Sequence, residues 1–171
     1  MARRTNLREF QLSVAQRLRT AATRAALSST LGFQVAGENW FVALHQVSEV
    51  IPVPPYVEVP LTQPWFRGVA NVRGKLYGIA DFAAFQGAAP TSGGLERRVV
   101  LVSEKLVAGA GLLVSRMLGL RNPENFVAAE RPPDAPPWMG GVFRDAAGAI
   151  WRELDVSRLA KERRFLEVGS Y

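Results

Sequence analysis

The feature that most narrows the possible folds is that the chain repeats itself. Trp65-x-x-Gly68-Val69 recurs as Trp138-x-x-Gly141-Val142, and Gly74-x-Leu76 recurs as Gly148-x-Ile150. Asp81 stands seven residues beyond Gly74 and Asp155 seven beyond Gly148, each followed by an apolar residue, with Phe85 and Leu159 four further on. The copies are offset by 73 to 74 residues, and an earlier pair, Val47-Ser48 with Val114-Ser115, repeats at 67. Self-similarity in this order predicts two copies of one small unit. In each, a glycine turn reverses a hairpin, and an aspartate then starts a helical turn by accepting from its free amides. A pseudo-two-fold body has a groove between its halves, a natural binding site.

Around the repeated residues the chain is punctuated by glycine and proline into short β segments. Leu31 to Ala36 and Trp40 to Leu44 flank Gly37-Glu38-Asn39, a hairpin signal. His45 to Val50 reads as a brief helical turn ended by Pro52. Val53 to Tyr56 and Pro60 to Pro64 read as loops, because prolines this dense do not fit a central strand. Gly68 to Val72 and Leu76 to Ala80 form a second hairpin around Arg73-Gly74-Lys75, and Asp81 caps a turn through Phe85. Residues 86–95 are linker-like. Beyond them Arg97 to Ser103, Leu106 to Gly109 and Gly111 to Ser115 are predicted strands. After a Pro-rich loop from Arg131 to Pro137, β structure returns at Val142–Arg144 and Ala149–Glu153, and Asp155 is the N-cap of a final helix from Val156 to Val168. The expectation is an all-β fold of two tandem barrels rather than βαβ units, with lobe 1 over about 31–90 and lobe 2 over about 96–160. The last helix, 156–168, is expected to pack on the body.

Residues 1–30 differ in character. Leu7, Phe10, Val14, Leu18, Ala21 and Ala25 recur at helical spacing over residues 5–27. Six arginines against Glu9 give residues 1–30 a net charge of +5, while the remainder holds 15 basic and 14 acidic residues, a net +1. The basic character therefore belongs to an amphipathic helical extension, not to the body. A groove following a phosphate backbone would need its charge on the body. Phe66, Arg67, Arg73 and Tyr77 do interleave basic and aromatic groups as single-strand binders do, so a small-barrel nucleic-acid binder anchored by the extension is the alternative reading. There is no cysteine, which excludes thiol catalysis and suits a reducing compartment. No apolar run reaches membrane-spanning length and no signal peptide is evident, so a cytoplasmic protein is expected.

No arrangement for catalysis stands out. The single histidine, His45, follows Val42-Ala43-Leu44 and has no second imidazole with which to hold a metal. There is no Gly-x-Ser-x-Gly elbow, no Walker lysine and no Gly-x-Gly-x-x-Gly. Asp81 and Asp155 occupy equivalent places in the repeat, which favours capping over a glycosidase-like pair. No enzyme activity, cofactor, metal or small-molecule substrate is expected.

The run from Trp65 to Phe82, WFRGVANVRGKLYGIADF, resembles the signature of CheW-like chemotaxis adaptors, Gly-Val-x-Asn-Leu-Arg-Gly followed by an apolar strand ending in Asp. Val47-Ser48-Glu49-Val50-Ile51, Gly111-Leu112-Leu113-Val114 and the stretch from Trp138 to Leu159 extend the resemblance over about residues 31–160. The Arg-rich extension and the divergent second lobe are closer to the twitching-motility (PilI-type) branch than to a flagellar CheW. The resemblance implies two SH3-like five-stranded β-barrels without catalytic activity. These would bridge the cytoplasmic helical tip of a chemoreceptor to the regulatory domain of a CheA-type histidine kinase at membrane-bound receptor arrays. It also implies receptor contacts at Val47 and Arg73, with Glu49 orienting Arg73. Phe66, Arg67, Asn71 and Lys75 are further candidate contacts. The family usually has Pro at the place of Gly78, Leu at that of Phe82, and an acidic residue at that of Ser115.

Overall fold

The structure, a computed structural model, describes residues 29–170. The expected helix over 5–27 lies outside the described residues. The extension does not reach residue 30, because Thr30 opens the first strand, β1 (Thr30–Val35). The strands that follow are β2 (Glu38–Ala43), β3 (Val47–Pro52), β4 (Phe66–Val72), β5 (Lys75–Asp81), β6 (Arg98–Val102) and β7 (Ala110–Val114). They continue with β8 (Arg116–Arg121), β9 (Val127–Ala129), β10 (Met139–Arg144) and β11 (Ile150–Leu154). One-turn helices α1 (Phe82–Phe85), α2 (Val156–Leu159) and α3 (Arg163–Leu166), with 3-10 turns at Leu44–Gln46 and Pro123–Asn125, complete the set.

The strands form two sheets, ordered β3-β6-β7-β5-β4 and β8-β1-β2-β11-β10-β9. In each sheet one pair is parallel, β5 with β7 and β11 with β2, and the other pairs are antiparallel. Superimposing the parallel pairs equates β3, β6, β7, β5 and β4 with β8, β1, β2, β11 and β10. The repeat is therefore real in topology, but its copies are not consecutive in the chain. The N-terminal hairpin β1–β2 completes the C-terminal sheet, and β6–β7 belong with β3–β5. Sheet membership thus crosses the division expected between residues 90 and 96.

Each Trp-x-x-Gly-Val copy marks a β-bulge. The β4–β5 register shifts between Phe66 and Gly68, and the β10–β11 register between Met139 and Val142. Gly68 has φ +132°, and a Cβ there would lie 2.2 Å from the Val57 carbonyl oxygen, so only glycine fits. Each hairpin returns to its tryptophan: the Asp81 amide donates to the Trp65 carbonyl at 2.7 Å, and the Asp155 amide to that of Trp138 at 2.9 Å.

Strand alternation gives the first sheet two apolar faces. Val100, Val102, Leu112 and Val114 face a core shared with the other sheet, while Val99, Leu101 and Leu113 join Ile51, Ala70, Tyr77 and Ile79 in a smaller one. The shared core is aromatic. Phe82 of α1 meets Trp40 of β2 and Trp138 at 5.4 Å each, and Phe85 meets Trp138 at 5.8 Å and Trp65 at 5.3 Å.

Several segments depart from expectation for identifiable reasons. The first hairpin turns at Ala36-Gly37, φ 50° and 81°, the type I′ geometry that two-residue turns prefer. Of the expected turn at 45–50 only His45 and Gln46 are helical, within a 3-10 turn over Leu44–Gln46, and the chain from Val47 pairs with β6. Leu106 to Gly109 is a turn rather than a strand: the amides of Leu106 and Val107 donate to the Ser103 carbonyl. β8 escaped prediction because an exposed edge strand lacks alternation. The expected helix 156–168 is broken between α2 and α3. Leu159 and Phe165 are both buried, and six residues of continuous helix would set them about 120° apart around the axis. The linker-like tract is pinned: Thr91 donates its amide and hydroxyl to Asp81, each at 2.8 Å.

The two caps differ in burial, and this sets their energetic roles. Asp81 is fully buried and accepts four hydrogen bonds, from the Ala83 and Ala84 amides and the two Thr91 donors. Asp155 accepts from the Arg158 amide and ion-pairs with its guanidinium at the half-buried surface. Urea denaturation should show Asp81→Ala destabilised by about 3 kcal/mol, since buried donors lose a charged acceptor. Asp155→Ala should lose only about 1 kcal/mol, an ordinary cap. Equal losses would contradict this ranking.

Candidate partner-binding site

β3 carries a bulge that decides where Glu49 points. Val47 is opposite Val102 and Glu49 opposite Leu101, so Ser48 is the extra residue. In a regular strand Val47 and Glu49 would share a face. With the bulge, Val47 packs against the shared core, as does Val102, while Glu49 turns to the face of Leu101, at the mouth of the smaller core.

Arg73 reaches the same mouth from the β4–β5 turn. Its φ is +52°, rare for a side chain larger than glycine, and Gly74 follows at +84°. The Asn71 carboxamide oxygen accepts the Gly74 amide at 2.8 Å and holds the turn. The guanidinium then grips Glu49 with both arms, Nη1 to Oε2 at 2.7 Å and Nη2 to Oε1 at 2.6 Å. β3 and β4 are opposite edges of their sheet. The fork therefore spans a curled sheet, as does the Val57–Val69 bridge between the β3–β4 loop and β4. The Arg73 side chain remains 74% exposed. A pair this open to water adds little stability; its effect is to fix the direction of a guanidinium that solvent, or a partner, can reach.

The fork borders a cavity of about 460 Å³ lined by Ser48, Val72, Tyr77, Leu101 and Ser103 together with charged residues. Lys75 Nζ lies 2.7 Å from Glu104 Oε1, and the Tyr77 hydroxyl donates to the same oxygen at 3.3 Å. Of the residues singled out in the sequence, Glu49, Arg73 and Lys75 are thus brought together. Phe66 and Arg67 are not. They lie at the far end of β4, Phe66 against the shared core and Arg67 donating to the Tyr56 hydroxyl at 3.3 Å. With Tyr77 buried in the smaller core, Phe66, Arg67, Arg73 and Tyr77 offer no continuous stacking surface. Glu104 and Lys105 went unremarked in the sequence because the β6–β7 connection that carries them has no motif.

Electrostatics follow the contacts. The hydrogen bond from Arg73 holds the Glu49 carboxyl below its ordinary value of 4.5. Lys75 does the same for Glu104, and Glu104 in turn raises the Lys75 ammonium. The equivalent turn of the other sheet has no such fork. There Asp145 accepts the Trp151 indole N–H at 2.8 Å and the amides of Ala147 and Ala149. Repetition built two hairpins, and only the first holds an arginine in a carboxylate fork, since Arg144 of the second is exposed and donates to the Gly148 carbonyl at 3.2 Å. Among the described residues no three His, Cys, Asp or Glu side chains converge as a metal site would need, and no helix is long and apolar enough to cross a membrane.

A curled sheet of this strand order, its edges joined by a Glu–Arg fork and its hairpin copied in a partner sheet, defines a duplicated β domain. The sequence model of the CheW-like domain matches residues 29–164, and the chain belongs to that family. Protein PilI of Pseudomonas aeruginosa is 33% identical over 145 residues, covering 82% of this chain and 80% of that protein. The scaffolding protein TtCheW from Thermoanaerobacter tengcongensis shares the fold, with a TM-score of 0.63 at 19% identity over 74% of this chain and 88% of that one.

The fork makes the Glu49 titration a direct report on its own geometry. Carboxyl NMR should find Glu49 titrating below 4.5 in the intact protein and moving up toward it in Arg73→Ala. Because the folded value is the depressed one, the pair's small stabilisation is complete above the ordinary carboxylate range and is lost as pH falls through the depressed value. A Glu49 midpoint unmoved by Arg73→Ala would mean that the two side chains are not paired in solution.

Proposed function

We propose that this chain is a non-catalytic adaptor coupling a methyl-accepting chemoreceptor to a CheA-type histidine kinase, with type IV pilus twitching motility as the output. The observation that carries the reading is the exposed Arg73 guanidinium, held in one direction by Glu49 at the tip of a hairpin turn. Arg73 and Gly74 share the turn geometry of Ala36 and Gly37, and what sets this tip apart is the large cation it displays. Membership of the CheW-like family and the similarity to PilI favour the same partners and the same branch. In this reading each sheet is an SH3-like barrel, residues 31–171 form the family domain, and residues 1–30 are an accessory extension. The protein is cytoplasmic and joins membrane-bound arrays through the receptor.

Arg73 and Glu49 form the polar part of the receptor contact. Val47, a further receptor contact, and Phe66 are half-buried on the side of the shared core, and with Arg67 at the far end of β4 they lie apart from the fork as additional candidate contacts. Lys75 supplies charge beside the fork, and Asn71 acts chiefly by shaping the turn. The mechanism is geometric. The adaptor holds kinase and receptor in register, so that a small receptor movement shifts the kinase between populated states.

Calorimetric titration of the full chain against the regulatory domain of a CheA-type kinase from the same genome should show saturable binding of defined stoichiometry. Against the receptor's cytoplasmic hairpin, Arg73→Glu should weaken binding about tenfold or more while the melting curve is unchanged. Folded Arg73→Glu with wild-type affinity would remove Arg73 from the contact. Absence of kinase binding with both proteins folded would overturn the adaptor role.

A further inference from the structure

The charges around the Arg73 cavity do not balance. Three cations line it, Arg73, Lys75 and Lys105, against two anions, Glu49 and Glu104. Arg73 is committed to Glu49 and Lys75 to Glu104, while among the described residues Lys105 pairs with no carboxylate. The folded body is otherwise nearly neutral, so this is a local excess rather than part of a general basic surface.

The elements place that excess deliberately. Lys75 begins β5, one residue beyond Gly74 of the turn that displays Arg73, while Glu104 and Lys105 sit in the β6–β7 connection, which lines the same cavity. Glu104 joins that connection to β5 by taking both its partners on one oxygen, Lys75 at 2.7 Å and the Tyr77 hydroxyl at 3.3 Å. Tyr77 is anchored in the smaller core, so Lys105 follows a positioned charge. Beside the Glu49–Arg73 fork the cavity thus carries Lys75, Glu104 and Lys105: plus, minus, plus, with the last position unmatched. A long ammonium side chain at an exposed mouth is a rim charge, and rim charges govern encounter and register more than final affinity.

We infer that Lys105 is a second recognition point of the same site, taking an acidic side chain from the receptor's helical hairpin, while Arg73 reads another across the cavity. This rests on the adaptor reading and adds to it a residue outside the motif that suggested it. Two cations lining one cavity, Arg73 oriented by Glu49 and Lys105 without a carboxylate partner, admit a helix that carries carboxylates at matching spacing. They reject one whose charge is reversed at the second position. The Lys75–Glu104 pair is the spacer between β5 and the connection that carries Lys105.

The test is association kinetics of the full chain with the receptor's cytoplasmic hairpin from the same genome, at low and high salt. Lys105→Glu should lower the association rate constant about fivefold or more at low salt, Lys105→Arg should leave it near wild type, and the difference should shrink at high salt. Glu104→Gln, which loosens the spacer without reversing a rim charge, should raise the dissociation rate instead. Thermal melts of all three variants should overlay the wild type, because the residues concerned are exposed. Wild-type association by Lys105→Glu, measured where Arg73→Glu is slowed, overturns this inference and leaves the adaptor reading standing. A wild-type protein that does not bind the hairpin at all removes both.

Discussion

The structure depends on one buried aromatic seam. On the single turn that ends the first sheet's hairpin, Phe82 meets both Trp40 of β2 and Trp138, the residue before β10, and Phe85 meets Trp138. Trp65 and Phe165 extend the stack, their rings 5.9 Å apart and nearly parallel. These rings bury a large apolar area, and apart from the stacked pairs Trp65–Phe165 and Phe82–Phe85 they meet in tilted or edge-on contact, which aromatic quadrupoles favour. The seam ties the sheets together. The C-terminal segment adds a strap across it, with the Gln63 amide donating to the Val168 carbonyl and the Ser170 amide to that of Leu61. Because α1 is anchored at its start by Asp81, the rings are positioned by a buried carboxylate rather than by a long helix.

Bulges convert this rigid core into a displayed site. Both Trp-x-x-Gly-Val copies use one to shift register where the hairpin leaves the seam. The bulge at Ser48 has a different consequence, because it separates Val47 from Glu49 and sends the carboxylate to the mouth of the smaller core. One extra residue thereby places Glu49 within reach of a turn on the opposite edge of its sheet. The repeat supplies two equivalent hairpins whose turns differ, with an Arg73–Glu49 fork in one and an Asp145–Trp151 bond in the other.

Two departures from the family pattern are explained by packing. The Gly78 amide donates to the Gly109 carbonyl at 2.7 Å, a bond that proline could not make, and the Phe66 ring lies where a Cβ at 78 would meet it at 2.9 Å. Glycine and the phenylalanine that covers it belong together. Phe82 fills the seam between Trp40 and Trp138 and is wholly buried, so its divergence concerns the core and not a partner surface. For the serine at 115, the structure shows only that its amide donates to the Gln34 carbonyl.

What the sequence determined by itself was local. Gly74 and Gly148 mark turns because L-residues resist positive φ. Asp81 and Asp155 mark caps because a short carboxylate satisfies free amides, and the Arg73 motif is read directly as a hairpin tip. The tertiary structure decided everything that required distant segments to meet. It assigned β1–β2 to the far sheet, since parallel pairing with β11 leaves no trace in the pattern of either strand. It broke the final helix so that both Leu159 and Phe165 could be buried. It joined Glu49 to Arg73, 24 residues apart, through a bulge that no residue type announces, and it brought Lys105 to the same cavity from a connection without a motif. Periodicity reports which face of a segment is apolar. It carries no information about which segment that face will meet, because burial is non-directional and many partners would satisfy it equally.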